Sequence, residues 1–160
     1  MQAEESEKRM SLEKFLESEQ IWHRFIEKPR ETVHTAEAST LTGLELDRMT
    51  KNLVSVTSGG EYVLLIVSGS KRVDLKKAAE VLGTSNVSLL AFNEAEQISG
   101  YPPGATPSVG HKTTMRVVLD SGLLNYETVY CGGGSRSRIL ELRTADIVSL
   151  NNAIVSSISK

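Results

Sequence analysis

An uninterrupted apolar run, Tyr62–Val67, constrains the fold more than any other feature of the sequence. Its residues do not alternate between apolar and polar, so a strand formed by this run would be buried on both faces. Other layers of structure must therefore cover both sides of the sheet that contains it. The run is far shorter than the ~20 residues of a membrane-spanning helix, so we expect no membrane segment.

The first third of the chain has mostly helical patterns. Residues 1–10 are polar, and we expect them to be flexible. From residue 11, apolar residues recur at mostly helical spacing, which predicts one helix that ends before Pro29 and carries Trp22 in the core. A short second helix is predicted over residues 36–42.

The rest of the chain alternates between short extended segments and helices. Strands are predicted over residues 53–57, 61–68, 87–91, 115–120, 128–131 and 139–142. Further helices are predicted between Asp74 and Gly83, between Asn93 and Gly100, and from Thr144 to about Ser157. This order predicts a mixed α+β fold in a single domain over residues 11–160.

The charge balance argues against a protein that coats nucleic acid. Lys and Arg number 18 and Asp and Glu number 20, for a net charge of −2, whereas a broadly basic surface needs an excess of positive charge. The charges are unevenly distributed. Residues 1–50 hold 7 basic and 11 acidic residues, and residues 51–160 hold 11 basic and 9 acidic residues. The second part can therefore supply a few local phosphate contacts.

The use of cysteine and histidine predicts neither a disulfide nor a metal site. Cys131 is the only cysteine, which fits a reducing cytoplasm, and the polar first ten residues lead us to expect no signal peptide. No histidine near Cys131 in sequence would activate it, so we interpret it as a small apolar strand residue. His23, His34 and His111 lack the spacing of zinc ligands.

Two glycine-rich loops and one lysine are the candidates for a functional site. Residues 100–111 combine prolines with glycines, and this loop either orders backbone amides for an anion or merely connects a helix to a strand. Residues 131–138 either approach a substrate and contact phosphate through arginines, or form a wide hairpin loop with solvated arginines. Lys51 is either a solvated strand end or a cation directed at a phosphate or carbonyl.

Four short segments occur together, in this order, in one known family. They are Thr-Lys-Asn-Leu-Val (50–54), Val-Asp-Leu-Lys-Lys-Ala-Ala-Glu-Val-Leu-Gly (73–83), Gly-Tyr-Pro-Pro-Gly-Ala-Thr-Pro-Ser-Val-Gly (100–110) and Tyr-Cys-Gly-Gly-Gly (130–134). The chain thereby resembles the YbaK-type family of free-standing aminoacyl-tRNA deacylases, which are related to the editing domain of bacterial prolyl-tRNA synthetase. The resemblance implies a mixed, partly barrel-like β-sheet surrounded by helices. It also implies hydrolysis of tRNA esters of small non-cognate amino acids such as Ala, Cys or Ser, typically on tRNA(Pro), without a metal or cofactor.

The resemblance further implies which residues form the site. Lys51 matches the family's essential lysine, whose implied role is to anchor the 3′ end of the tRNA. The implied substrate-binding residues are Gly104, Ala105, Thr106, Pro107, Ser108, Gly110, His111, Gly132 and Gly133. The implied partners are the acceptor end of tRNA and an aminoacyl-tRNA synthetase.

The chain departs from the family pattern at four positions. Ser108 stands where the loop motif has proline, and Asn52 where a Thr or Ser is common. Gly132 and Ile139 stand where cysteine-specific members carry serine and aspartate. These departures leave the amino-acid specificity open. They also leave two other hypotheses: a non-catalytic module that binds tRNA ends or a synthetase, and a hydrolase of small esters unrelated to tRNA.

Overall fold

The computed structural model describes residues 11–160, so the expected flexible segment at residues 1–10 lies outside the described part. The helices are α1 (11–18), α2 (Thr35–Thr42), α3 (Leu75–Leu82), α4 (Phe92–Ser99) and α5 (Thr144–Asn151). The strands are β1 (His23–Glu27), β2 (Thr50–Thr57), β3 (Tyr62–Ser68), β4 (Val87–Leu89), β5 (Arg116–Asp120), β6 (Thr128–Gly132), β7 (Arg138–Arg143) and β8 (Ile154–Ser156). Within residues 11–160, no helix has the length and apolar character needed to cross a bilayer.

The strands are divided between two sheets. The smaller sheet is antiparallel and has the order β1-β7-β6. The larger sheet has the order β4-β2-β3-β5-β8, in which β5 runs parallel to both β3 and β8 while β2 is antiparallel to its neighbours. An isolated bridge between Met49 and Tyr130 links the two sheets. The mixed α+β class expected from the sequence is therefore confirmed, with its strands shared between two sheets.

Strand β3 lies in the middle of the larger sheet, between β2 and β5. The side chains of Val63–Val67 have no exposed surface. Leu64 and Ile66 pack into the main core together with residues of the smaller sheet, while the other three residues pack on the opposite face against α3. The prediction that this run is buried on both faces is confirmed for Val63–Val67, whereas Tyr62 at the start of the strand is 39% exposed.

The single helix predicted up to Pro29 is wrong. Helix α1 ends at residue 18, Gln20 has a positive φ of 55°, and the chain then enters β1. Pairing of β1 with β7 supplies backbone hydrogen bonds and cross-strand contacts that outweigh the helical spacing of the apolar residues. Trp22, which we expected in the core, is 39% exposed and has the Arg143 guanidinium 5.6 Å from its ring centroid.

The C-terminal helix predicted to about Ser157 is also too long. Helix α5 ends at Asn151, and the chain then forms β8 alongside β5. The buried Asp120 carboxylate stabilises this arrangement, because it accepts hydrogen bonds from the Ile158 N–H (2.8 Å) and the Ser159 hydroxyl (3.0 Å). A continued helix would leave this carboxylate without those donors.

We expect Leu64→Ala to lower the free energy of unfolding by about 2–5 kcal/mol, because deleting a fully buried leucine side chain leaves a cavity. Leu124→Ala is the matched control, since Leu124 is 49% exposed. Urea denaturation followed by circular dichroism measures both. Equal losses in the two variants would contradict the central, doubly buried position of β3.

Candidate active site

A cavity of about 460 Å³ lies between strand β2, the segment that precedes α2, helix α4 and the two glycine-rich loops. Its volume is in the range of small-molecule sites in proteins. The predicted site residues that line it are Lys51, Gly104, Thr106 and Gly132. Those that do not line it are Ala105, Pro107, Ser108, Gly110, His111 and Gly133. The structure therefore brings Lys51 and both loops to one cavity. Of the seven predicted site residues in the first loop (residues 100–111), two line the cavity and five do not.

The two glycine-rich loops contact each other at Gly132. The Gly132 N–H donates to the Thr106 carbonyl oxygen at 3.2 Å, and the Gly134 N–H donates to the Ala105 carbonyl oxygen at 3.0 Å. A Cβ at position 132 would lie 2.5 Å from the Thr106 oxygen and 2.6 Å from the Ala105 oxygen. The serine that cysteine-specific family members carry here would not fit without displacement of the first loop.

Hydrogen bonds from strand β2 hold the first loop in place. The buried Ser108 hydroxyl donates to Asn52 Oδ1 at 2.6 Å and lies 3.2 Å from Thr50 Oγ1. Asn52 Nδ2 donates to Thr50 Oγ1 at 3.0 Å and to the Thr106 carbonyl oxygen at 3.2 Å. Ser108 and Asn52, two of the departures from the family pattern, are thus direct partners.

His111 supports the end of the first loop rather than the cavity wall. Its Nε2 lies 2.7 Å from the Pro107 carbonyl oxygen, and because a carbonyl can only accept, Nε2 carries the hydrogen. Burial lowers the pKa of His111, with the Pro107 carbonyl opposing the shift, so the ring is neutral at pH 7. Gly110 is held through its carbonyl oxygen, which accepts a hydrogen bond from the Tyr101 hydroxyl at 3.0 Å.

The sequence predicts that Lys51 precedes the strand, but the structure places Lys51 within strand β2. Its Nζ donates to the Lys71 carbonyl oxygen at 2.7 Å. Partial burial lowers the pKa of Lys51, and the positive charge of Arg72 lowers it further. An ammonium group has three N–H donors, so the contact with Lys71 leaves donors for a ligand.

The arginines of the second loop hold the loops together. Arg136 Nε donates to the Pro103 carbonyl oxygen at 2.8 Å, and Arg138 Nε donates to the Gly133 carbonyl oxygen at 2.9 Å. Arg138 is buried and forms an ion pair with Glu13 of α1. It is therefore neither a solvated arginine nor an exposed phosphate ligand, the two alternatives that the sequence left open.

Cys131 lines the cavity, but its thiol is not poised for nucleophilic attack. Burial raises the pKa of the Cys131 thiol to about 11, so the thiol is protonated at neutral pH. This supports the interpretation of Cys131 as a small apolar strand residue. Among residues 11–160, no group of three or more His, Cys, Asp or Glu side chains is placed to hold a metal ion.

Lys28 lines the cavity and was not among the residues predicted from the sequence. It is 8% exposed, and its Nζ donates to Thr32 Oγ1 at 2.6 Å. Burial lowers the pKa of Lys28, while the carboxylates of Glu37 and Glu31 oppose the shift. Lys28 directly follows β1, which the sequence predicts as part of a helix, so no spacing pattern indicates that Lys28 reaches the site.

Apolar side chains complete much of the lining. They include Met49, Tyr130 and Ile139, which are 4%, 6% and 3% exposed. Ile139 occupies the position where cysteine-specific family members carry an aspartate. The wall therefore offers no carboxylate there.

The fold and this cavity define a mixed α+β domain with a cavity of small-molecule size between strand β2 and two glycine-rich loops. The family model of the aminoacyl-tRNA editing domain matches residues 29–150. The chain belongs to this family, and the resemblance noted in the sequence is confirmed.

Individual relatives agree with this assignment. The chain is 29% identical over 117 residues to an Enterococcus faecalis protein named "Putative Cys-tRNA(Pro)/Cys-tRNA(Cys) deacylase EbsC", a match covering 73% of this chain and 71% of that protein. It is 30% identical over 106 residues to the proline–tRNA ligase of Cupriavidus necator, a match covering 64% of this chain and 18% of the ligase. A crystal structure described as "a putative trans-editing enzyme for prolyl tRNA synthetase" superposes with a TM-score of 0.83 and 28% identity, covering 96% of this chain and 97% of that one.

We expect Gly132→Ala to lower the free energy of unfolding by about 1–3 kcal/mol, because its Cβ meets backbone atoms of the first loop that must shift. Gly59→Ala is the matched control, since a Cβ there has its nearest neighbour at 3.9 Å. Chemical denaturation compares the two variants. A Gly132→Ala protein as stable as Gly59→Ala would contradict the close contact between the loops.

Proposed function

We propose that the protein is a trans-editing hydrolase that removes a small non-cognate amino acid, such as Ala, Cys or Ser, from mischarged tRNA(Pro). The observation that carries this proposal is the cavity lined by Lys51 and by both glycine-rich loops. Membership of the aminoacyl-tRNA editing family supports an aminoacyl ester as the substrate class. The names of the relatives support a link to tRNA(Pro).

The proposed mechanism relies on positioning and electrostatics. An aminoacyl ester is already activated, so its hydrolysis needs no dedicated nucleophile. Water adds to the ester carbonyl carbon, and the resulting tetrahedral intermediate breaks its bond to the ribose oxygen. That oxygen takes the proton that the added water loses, so the products are the free amino acid and the ribose hydroxyl of the tRNA. The loop around Gly104 and Thr106 orients the carbonyl. The buried thiol of Cys131, with its pKa raised to about 11, does not compete as a nucleophile.

Lys51 is proposed to anchor the 3′ end of the tRNA rather than to act as a base. Lys51 is partly exposed, and Arg72 is exposed nearby and adds a second positive charge. Two cations at the edge of a cavity suit the phosphate of a terminal nucleotide. The contact with the Lys71 carbonyl holds the Lys51 side chain in place for this role.

The lining supports discrimination by size and by polarity. Next to Ile139 a substrate hydroxyl or thiol finds no hydrogen-bond partner, so a seryl ester that places its hydroxyl there loses more on leaving water than an alanyl ester does. We propose that the larger prolyl group of the cognate product is excluded by size where Gly132 packs against the first loop with no room for a Cβ. We therefore expect alanyl-tRNA(Pro) to be hydrolysed faster than seryl-tRNA(Pro), and prolyl-tRNA(Pro) to be spared.

The charge distribution supports tRNA as the partner, and the single free thiol supports the cytoplasm as the compartment. Residues 51–160 hold 11 basic against 9 acidic residues, which suits brief contact with the acceptor end of tRNA. The free, buried Cys131 is compatible with the reducing cytoplasm, where charged tRNAs are used.

Deacylation of tRNA(Pro) charged with Ala, Cys, Ser or Pro tests the proposal in wild type and in Lys51→Met. Loss of the anchor should lower kcat/KM by about 100-fold, mainly through KM, because a phosphate contact is made in the ground state and transition state alike. Lys76→Met is the matched control, since Lys76 is exposed on α3 and does not line the cavity.

Undiminished deacylation by Lys51→Met would overturn the assigned role of the lysine. Binding of tRNA by the wild type without turnover would identify a binding module instead. Hydrolysis that is indifferent to the tRNA would identify a small-ester hydrolase.

A further inference from the structure

We propose that Lys28 is a second catalytic lysine, which donates a hydrogen bond to the carbonyl oxygen of the aminoacyl ester and stabilises the negative charge that develops there. This inference rests on the proposed deacylase function. It assigns a role to a residue that neither the sequence motifs nor the family resemblance indicated.

The first argument is the incomplete hydrogen bonding of a buried cation. Lys28 is 8% exposed and lines the cavity. Its Nζ has a hydrogen bond to Thr32 Oγ1 at 2.6 Å, whereas an ammonium group has three donors. Buried charges in proteins are paired or fully hydrogen-bonded, because loss of water is costly for them. An oxygen atom in the cavity would complete the set of acceptors.

The second argument is the rigid placement of Lys28 between the two loops. Its backbone N–H donates to the Ser137 carbonyl oxygen at 2.7 Å, and the Thr32 N–H donates to the Arg136 carbonyl oxygen at 3.2 Å. On the other side, Gly104 approaches so closely that a Cβ there would lie 2.7 Å from Val33 Cα. A donor fixed in this way needs little reorganisation during the reaction, which is the condition for electrostatic catalysis.

The surrounding charges support the protonated form without occupying its donors. Glu37 and Glu31 oppose the lowering of the Lys28 pKa that burial causes. Glu37 makes its own ion pair with Arg30 at 3.2 Å, and its carboxylate acts on Lys28 without a hydrogen bond to Nζ.

The burial of Lys28 favours the ester carbonyl over a phosphate as its ligand. Lys51 is partly exposed and lies near Arg72, whereas Lys28 is enclosed. A phosphodiester carries a permanent, strongly hydrated charge that suits the exposed lysine. When water adds to the carbonyl carbon, the electron pair of the C=O bond moves to the oxygen, and Lys28 faces that new charge. Because this charge appears only in the transition state, Lys28 should act on kcat rather than on KM.

Steady-state deacylation of alanyl-tRNA(Pro) by Lys28→Met, Lys28→Gln and the exposed control Lys14→Met tests the inference. We expect Lys28→Met to lower kcat by about 100- to 1,000-fold with KM changed by less than about threefold. Lys28→Gln keeps neutral N–H donors and should lose less. Lys14→Met should match the wild type, and thermal melting should find all variants folded.

The outcomes separate this inference from the proposed function. An active wild type together with an unchanged kcat in Lys28→Met overturns the role of Lys28 and leaves the deacylase proposal standing. A rise in KM at constant kcat also overturns the role of Lys28, because it indicates ground-state binding. An equal loss of kcat in the Met and Gln variants together with lowered melting temperatures overturns it as well. A wild type that deacylates none of the charged tRNAs overturns the proposed function, and the role of Lys28 with it.

Discussion

The contact between Gly132 and the backbone of Ala105 and Thr106 determines the shape of the cavity. Gly132 ends strand β6 of the smaller sheet, and the loop it touches is tied to strand β2 of the larger sheet through Asn52. The bridge between Met49 and Tyr130 joins the same two sheets. The cavity therefore lies where both sheets meet. Its dimensions depend on the distance between Gly132 and the first loop, which leaves no room for a side chain at position 132.

The departures from the family pattern form a physically consistent set. Asn52 and Ser108 are hydrogen-bonded to each other at 2.6 Å, so the two changes together hold the first loop against the strand. On the opposite wall, Gly132 is smaller than the serine, and Ile139 is less polar than the aspartate, that cysteine-specific members carry at these positions. The lysine and the two loops of the family pattern are thereby kept, while part of the cavity lining differs from that pattern. Specificity within one fold can change through such differences in lining.

Short sequence patterns predicted those features of the fold and the site that depend on neighbouring residues in the chain. Lys51 and the two loops were singled out as site candidates by short motifs that resemble the family, and the apolar run of β3 was recognisable because its signal lies within a short stretch of sequence. The strand β1 was not, because its stability comes from pairing with β7, more than a hundred residues away, and its apolar spacing also fits a helix. The Asn52–Ser108 pair is separated by 56 residues, and Lys28 reaches the cavity only through the path that β1 takes.

A crystal structure with 3′-alanylamino-3′-deoxyadenosine, in which an amide replaces the ester, tests the central claim that this cavity is the deacylation site. The account predicts that the alanyl methyl group contacts Ile139 and Gly132. It also predicts that the carbonyl oxygen lies about 3 Å from Lys28 Nζ, a hydrogen-bond distance, with the 5′ side of the nucleoside toward Lys51. An analogue bound elsewhere, or with its alanyl group in solvent, would contradict the account.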